Sequence, residues 1–209
     1  NDKWRGFFGK LRAVDAKLKH FKEDDVLIVV DAFDTRINHG MQRIQELGVS
    51  MLSEADIVFS KSPRMLFAPT AAINAYLYKK CFGGFLNAGL YMGRVKALKE
   101  LYKDTLALES IAHSDDQMAF NTLRHRFNIQ CDDQKKMFLN VEYSERWRSP
   151  DEFDAVFCGY PGTMTLKRVC RFPREYWRPF RTEITVLLSG LIIAVIYALW
   201  RRSNTILRA

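Results

Sequence analysis

The 209-residue chain lacks any CxxC pair. Its four cysteines, Cys81, Cys131, Cys158 and Cys170, are widely scattered, so neither a zinc site nor a disulfide framework follows from them. Internal repeats and low-complexity tracts are absent too. With 48% hydrophobic residues there is enough apolar material to bury a core, and one domain with appendages is the natural expectation. The globular part also lacks a charge surplus. Of the net +8, the stretch from Lys167 onward holds +7, with nine Lys/Arg against two Glu. The rest is close to neutral, which removes the charge argument for a nucleic-acid partner. The chain opens at Asn1 without a signal-peptide pattern, and any N-terminal targeting signal would lie upstream of it.

What is present is organised around Val26-Leu-Ile-Val-Val-Asp31-Ala-Phe-Asp34. Five apolar residues in a row, mostly β-branched, predict a strand covered on both faces, as in a parallel sheet between helices. Asp31 and Asp34 fall at its carboxyl end, where open α/β sheets bind ligands. Two hard oxygen donors there suit Mg²⁺ or Mn²⁺ holding a diphosphate. The plainer reading has Asp34 capping a turn or helix and Asp31 accepting backbone hydrogen bonds.

Around this strand the pattern alternates between helix and strand. Trp4 to Phe21 reads as an amphipathic helix burying Leu11, Val14, Leu18 and Phe21, with Lys10, Arg12, Lys17 and Lys19 in water. A second helix is expected over Gly40 to Leu52 and a short strand over Asp56 to Ser60. Pro63 and Pro69 mark a loop over Lys61 to Thr70. Phe82 to Gly93 is glycine-rich, which allows close backbone approach or positive φ. Arg94 to Glu109 returns to helical spacing. Asp115 and Asp116, with Ser114 as cap, precede a helix from Met118 to about Arg126, where acidic residues complement the helix dipole. An edge strand and the segment Met137 to Asn140 follow, then a polar linker over Ser144 to Asp154. Ala155 to Gly162 is a strand leading into a loop.

Near the end, Ile184 to Trp200 is an uncharged apolar run of about 17 residues, short but sufficient for a bilayer span. Its apolar residues cover every helical face, unlike the stripe of a soluble helix. Tyr176 and Trp177 before it, and Tyr197, Trp200, Arg201 and Arg202 at its close, match interfacial anchors. A buried core helix is the other reading. The expected organisation is thus a globular domain over 1–165, a basic aromatic juxtamembrane segment over 166–183, a transmembrane helix over 184–200 and a short basic tail over 201–209.

The order Asp31-Ala-Phe-Asp34, Ile57-Val-Phe-Ser60, Phe85-Leu-Asn87-Ala-Gly89-Leu-Tyr-Met-Gly93, Ser114-Asp115-Asp116-Gln117 and Met137-Phe-Leu-Asn140 resembles the glycosyltransferase domain of the procollagen lysyl hydroxylases and related collagen glycosyltransferases. The resemblance runs from about Gly9 to Gly162. It implies a GT-A fold, a Rossmann-like mixed α/β sheet flanked by helices, with a UDP-sugar donor, Mn²⁺ (or Mg²⁺) and a DxxD motif. On this resemblance Asp31 and Asp34 are the metal ligands and Phe33 the aromatic residue at the nucleotide. Lys10, beside Gly9, belongs to a Gly-Lys region near the donor. Asn87 and Gly89, with Gly93, line the sugar pocket. Asp115 and Asp116 are the acidic, catalytic residues beside the donor sugar, with Gln117 next to them. A metal on the diphosphate neutralises charge on the leaving group, and a carboxylate near the anomeric centre orients or deprotonates the acceptor hydroxyl.

The chain also departs from that pattern. Cys158, in Cys158-Gly-Tyr-Pro-Gly162, stands where the family has a histidine as third metal ligand, and a thiolate is a soft exchange for imidazole on Mn²⁺. The family's Glu after the second strand is replaced by Lys61-Ser62, and the fold's first strand should precede Trp4. The implied function is a membrane-attached hexosyltransferase acting on a protein or glycan acceptor. The alternative is a degenerate glycosyltransferase-like binding module. A haloacid-dehalogenase-type phosphatase is disfavoured, because its second aspartate stands two positions after the first rather than three. Resemblance implies an endoplasmic reticulum or Golgi membrane with the domain lumenal. Arg171, Arg174, Arg178 and Arg181 on the near flank weigh for the opposite orientation as heavily as Arg201, Arg202 and Arg208 weigh for this one.

Overall fold

The computed structural model describes residues 6–62, 86–109, 116–160, 189–193, 195 and 197. The chain divides into two compact units, Asn1–Thr163 and Met164–Ala209.

In the first unit, α1 (Phe7–Leu18) starts after Gly6, whose φ of 77° favours glycine. It is followed by β1 (Val26–Val30), β2 (Thr35–Ile37), α2 (Met41–Met51) and β3 (Ile57–Lys61). Then come β4 (Leu86–Arg94), α3 (Val95–Ala107), α4 (Asp116–Leu123), β5 (Ile129–Cys131), β6 (Phe138–Asn140) and β7 (Phe157–Gly159). The expected helices and strands within the described residues form. The loop expected over 61–70 and the Ser114 cap fall largely outside them. The expected linker over 144–154 contains two 3₁₀ turns, Tyr143–Glu145 and Pro150–Glu152.

Two mixed sheets result. The larger has the order β1-β4-β3-β5, antiparallel except for the β3–β5 pair. The smaller has the order β2-β7-β6, with β6 and β7 parallel. One face of the larger sheet packs on α1, α3 and α4 through Phe8, Leu11, Phe59, Tyr91, Leu101 and Phe120. The other packs on α2 and the smaller sheet through Val58, Leu90, Met92, Met137, Phe138 and Phe157. Phe59 stacks on Tyr91 with centroids 4.6 Å apart, and Phe120 meets Tyr91 edge-on at 5.5 Å. Each such side chain, buried, contributes about 1.5–3 kcal/mol. The Tyr91 and Tyr102 hydroxyls bond each other, which satisfies both phenols inside the core.

One expectation is corrected here. β1 is not a strand inside a parallel sheet. It pairs antiparallel with β4 and stands at the sheet edge among the described residues, half-buried, with Val26 45% exposed. Leu27 and Val29 do pack toward one core and Ile28 and Val30 toward the other. A continuous apolar run records that both faces are covered, and it carries no information on partner direction.

Among the described residues no helix is long and apolar enough to cross a membrane. The stretch 184–200 lies mostly outside them. Its described members, 189–193, 195 and 197, are helical, and Leu191, Ile192, Ile193, Val195 and Tyr197 are exposed.

Candidate active site

The site begins with an irregularity in β4. Phe59 faces Tyr91 across β3–β4, but the next residue, Ser60, faces Asn87. Ala88, Gly89 and Leu90 therefore have no partner in β3, and β4 bulges. A bulge bends its strand and re-aims its side chains. Here it switches the buried face, since Leu86 and Ala88 lie in the first core and Leu90 and Met92 in the second. On its other side the bulge stays bound to β1, where the Asp31 N–H donates to the Gly89 carbonyl at 2.8 Å. Gly89 thus lies against the Asp31 carboxylate. A Cβ there would stand 2.8 Å from Asp31 Oδ2 and 2.9 Å from Asn87 Oδ1.

Above this bulge sits Lys10. The sequence pattern placed it in water; the structure places its ammonium in a ring of oxygens, with the side chain 20% exposed. Nζ lies 3.1 Å from Asp31 Oδ1, 3.1 Å from the Ala88 carbonyl and 3.0 Å from Asp116 Oδ2. Amphipathic spacing assigns residues to faces, and Lys10 lies at the margin of the face that buries Phe8 and Leu11, where a long stem reaches inward. Burial works to push the ammonium's pKa down, but Asp116 and then Asp31 outweigh it, and the net direction is upward. Asp116 is itself buried, which raises its carboxyl above the usual range against the pull of Lys10. Its Oδ1 accepts the Gln117 N–H at 2.9 Å, while Oδ2 has the ion pair without a well-directed hydrogen bond. Asp116 is therefore both an N-terminal helix carboxylate and a member of the charge cluster.

Asp31 and Asp34 stand at the two ends of the turn after β1. Burial, and then the like charge of Asp31, raise the Asp34 carboxyl. Phe33, between them, is fully exposed. Asn87 holds the Gly89 N–H on Oδ1 at 2.9 Å and donates to Gln117 Oε1 at 3.4 Å. Gln117 in turn donates to Ser62 Oγ at 3.2 Å. Lys10, Asp31, Asn87, Gly89, Asp116 and Gln117 are thus brought together, with Asp34 and Phe33 in the adjoining turn. Asp115 lies outside the described residues.

Cys158 does not join them. Phe157 packs toward the larger sheet, and the alternation of β7 turns Cys158 to the opposite face, among Leu139, Val141, Phe153 and Ala155. Its Sγ accepts from Asn38 Nδ2 at 3.3 Å, and burial pushes the thiol up to about 11. A thiol held among apolar side chains is a poor, soft ligand for a hard divalent ion. Among the described residues no three His, Cys, Asp or Glu side chains form a ready metal cage. The two carboxylates still fit a hard divalent cation. Asp34 carries a repulsion from Asp31 that such an ion would relieve, and Mg²⁺-type sites often use one or two carboxylates with substrate phosphates and water.

Three participants escaped sequence reading. Lys10 was assigned to the donor region but not to the carboxylates. Ser62 and Asn121 anchor Gln117 and β4, and the only available sign was that Asn121 stands one helical turn after Gln117.

The α/β fold thus gathers carboxylates and a lysine at the bulge of β4, beside the turn after β1. The family description "PLOD GT domain" matches residues 3–148, and the chain belongs to this glycosyltransferase family. No curated relative matches the sequence. Among solved structures, the galactosyltransferase LgtC with donor and acceptor sugar analogues is 17% identical with a TM-score of 0.48, over 73% of this chain and 59% of that one. A glycosyltransferase involved in glycosylation of the major capsid of PBCV-1 is also 17% identical, at TM-score 0.48, over 81% of this chain and 74% of that one. The chain thus spans 59% of the length of that galactosyltransferase. The family match, rather than these distant likenesses, supports the functional reading.

Proposed function

We propose that this chain moves a hexose from a UDP-sugar to an acceptor hydroxyl at the Lys10–Asp31–Asp116 cluster, with Asp31 and Asp34 as ligands of Mn²⁺ or Mg²⁺. The observation that carries the reading is the convergence of these three charged groups beside Gly89, in a chain of a glycosyltransferase family. When bound, the metal neutralises charge on the departing diphosphate. The chain's own residues do the rest. Asp31 and Asp34 fix the donor's anionic end. Phe33, exposed in the same turn, offers a face for the base. Asn87, Gly89 and Gln117 border the sugar, and Gly89 lets the donor approach the backbone. Asp116, with its carboxyl raised by burial, is suited to hold a sugar hydroxyl or take the acceptor proton as the acceptor oxygen bonds the anomeric carbon and UDP leaves. Lys10 holds Asp116 and Asp31 at a set separation and adds positive charge near the diphosphate. The acceptor is a protein or glycan hydroxyl, and Asp115 is assigned beside Asp116 on the family resemblance.

In this reading residues 1–165 form the transferase. Residues 166–183 form a basic juxtamembrane segment, 184–200 cross the membrane, and 201–209 are the tail. The domain faces the lumen of the endoplasmic reticulum or Golgi. Apolar side chains exposed on the described part of the C-terminal helix favour attachment. A second reading, a binding module without turnover, is favoured by the buried thiol at the position of the family's histidine.

The test is calorimetric titration of UDP with and without Mn²⁺, on the native chain and on Asp31→Asn/Asp34→Asn. Binding that needs both the ion and the carboxylates is expected. UDP binding that is unchanged by the double substitution, or absent from the folded native protein, overturns the donor-site assignment. Binding without release of UDP from UDP-glucose or UDP-galactose would favour the module.

A further inference from the structure

We infer that Asn121 is a positioning residue for the donor site, setting the bulged segment of β4 against the first turn of α4. The inference rests on the transferase reading above. Asn121 is 3% exposed, and its amide makes three bonds to main chain. Oδ1 accepts the Leu86 N–H at 2.9 Å, and Nδ2 donates to the Leu86 carbonyl at 3.1 Å and the Gln117 carbonyl at 2.7 Å. The amide therefore serves both main-chain groups of one strand residue, as a neighbouring strand would. A leucine would fill this place without a polar group to desolvate, so the amide is retained at a cost that only its bonds offset.

Those bonds fall at a decisive place. Leu86 opens β4 in register with β3, facing Lys61, and Asn87 faces Ser60 just before the bulge. The next residue, Asn87, begins the stretch that carries Gly89 to Asp31, and its side chain ties Gly89 to Gln117. Gln117 and Asp116 form the first turn of α4, and Asp116 meets Lys10. The bonds that Asn121 makes to Leu86 and Gln117 go to main chain rather than to side chains of the site. By clamping Leu86 and Gln117 at main-chain level, it fixes the separation between the strand that borders the sugar and the helix that presents the carboxylate. Displacements of about 1 Å in such an arrangement cost on the order of 100-fold in rate.

The variant is Asn121→Asp, which keeps size and the acceptor for Leu86 N–H but turns a carboxylate oxygen toward two carbonyls. The control is Thr105→Val on α3, equally buried, whose hydroxyl bonds only the Leu101 carbonyl of its own helix at 2.6 Å. UDP release from UDP-glucose and UDP-galactose with Mn²⁺ is measured on each chain well below its own Tm. For Asn121→Asp, kcat should fall at least tenfold while donor KM moves less than threefold, because the carboxylates that hold the diphosphate are untouched. Thr105→Val should stay within twofold in both. If Asn121→Asp loses no more kcat than the control at equal folded fraction, the residue is merely structural and the inference fails while the transferase stands. If the native chain neither binds UDP with Mn²⁺ nor releases it, the transferase reading fails first and takes the inference with it. Should Asn121→Asp not fold, Asn121→Ser, too short to reach Leu86, is read by the same kcat and KM criteria.

Discussion

A lysine ammonium drawn out of water is stable only beside anions, and Lys10 has two of them. The arrangement works in both directions, since the ammonium also keeps two carboxylates close that would otherwise repel. Gly89 contributes differently, by having no side chain. A methyl group there would meet the movable ends of Asp31 and Asn87, not backbone, so the fold can yield while the site cannot. Gly89→Ala should therefore lower UDP-sugar turnover by about tenfold or more. Its Tm should change little, by roughly 2 °C or less. Parallel thermal melts and UDP-release assays check this, and unchanged turnover would remove Gly89 from the site. Cys158 shows the opposite case, a polarisable group taken into apolar packing, where burial keeps its proton on.

Among the elements, the short loop between β5 and β6 joins the two sheets. Asp132, 3% exposed, accepts the N–H groups of Met137 at 2.7 Å, Phe138 at 2.8 Å and Lys136 at 3.3 Å. One carboxylate thus gathers three amides that the start of β6 leaves without ladder partners. Beyond it, Asn140 Nδ2 donates to the Lys61 carbonyl at 2.8 Å, tying β6 to β3 and hence one sheet to the other. Asp132→Ala strands buried amides and should cost about 2–3 kcal/mol. In a domain of this size that is a Tm lower by roughly 5–10 °C, read by circular dichroism, with Asp132→Asn losing less than half as much. A Tm within a degree of native would mean that water replaces the carboxylate. The bulge in β4 follows the same logic at a different place, an irregularity stabilised by Asn87 and Asn121 because it carries Gly89 to Asp31.

At the level of the whole molecule, the two units differ in chemistry. The first buries its apolar residues on both faces of a sheet, whereas the described helix residues of the second leave Leu191, Ile192, Ile193, Val195 and Tyr197 half or more exposed. If the second unit carries a span, the full chain should sediment with membranes and resist alkaline carbonate. Removal of 184–209 should then release it. Extraction of the intact chain by carbonate would overturn the anchor and leave the transferase reading untouched.

Local chemistry was legible without coordinates. Apolar runs, helical spacing and the aspartates at a strand end were sufficient for the elements and for the family, because these depend on neighbours in sequence. Long-range pairing was not. Val26–Val30 reads the same at an edge as in an interior, so only the fold decided its antiparallel partner. The burial of Lys10 was hidden because its two anions stand 21 and 106 positions away. The bulge of β4 was hidden because it exists only relative to β3. Cys158 aligned by position with a ligand, but side-chain direction on β7 is set by strand pairing, and that pairing turned it into the core. The residue types of the site were determined by the sequence itself. Which of them touch was decided by tertiary structure, because contact between distant positions depends on packing and register rather than on order along the chain.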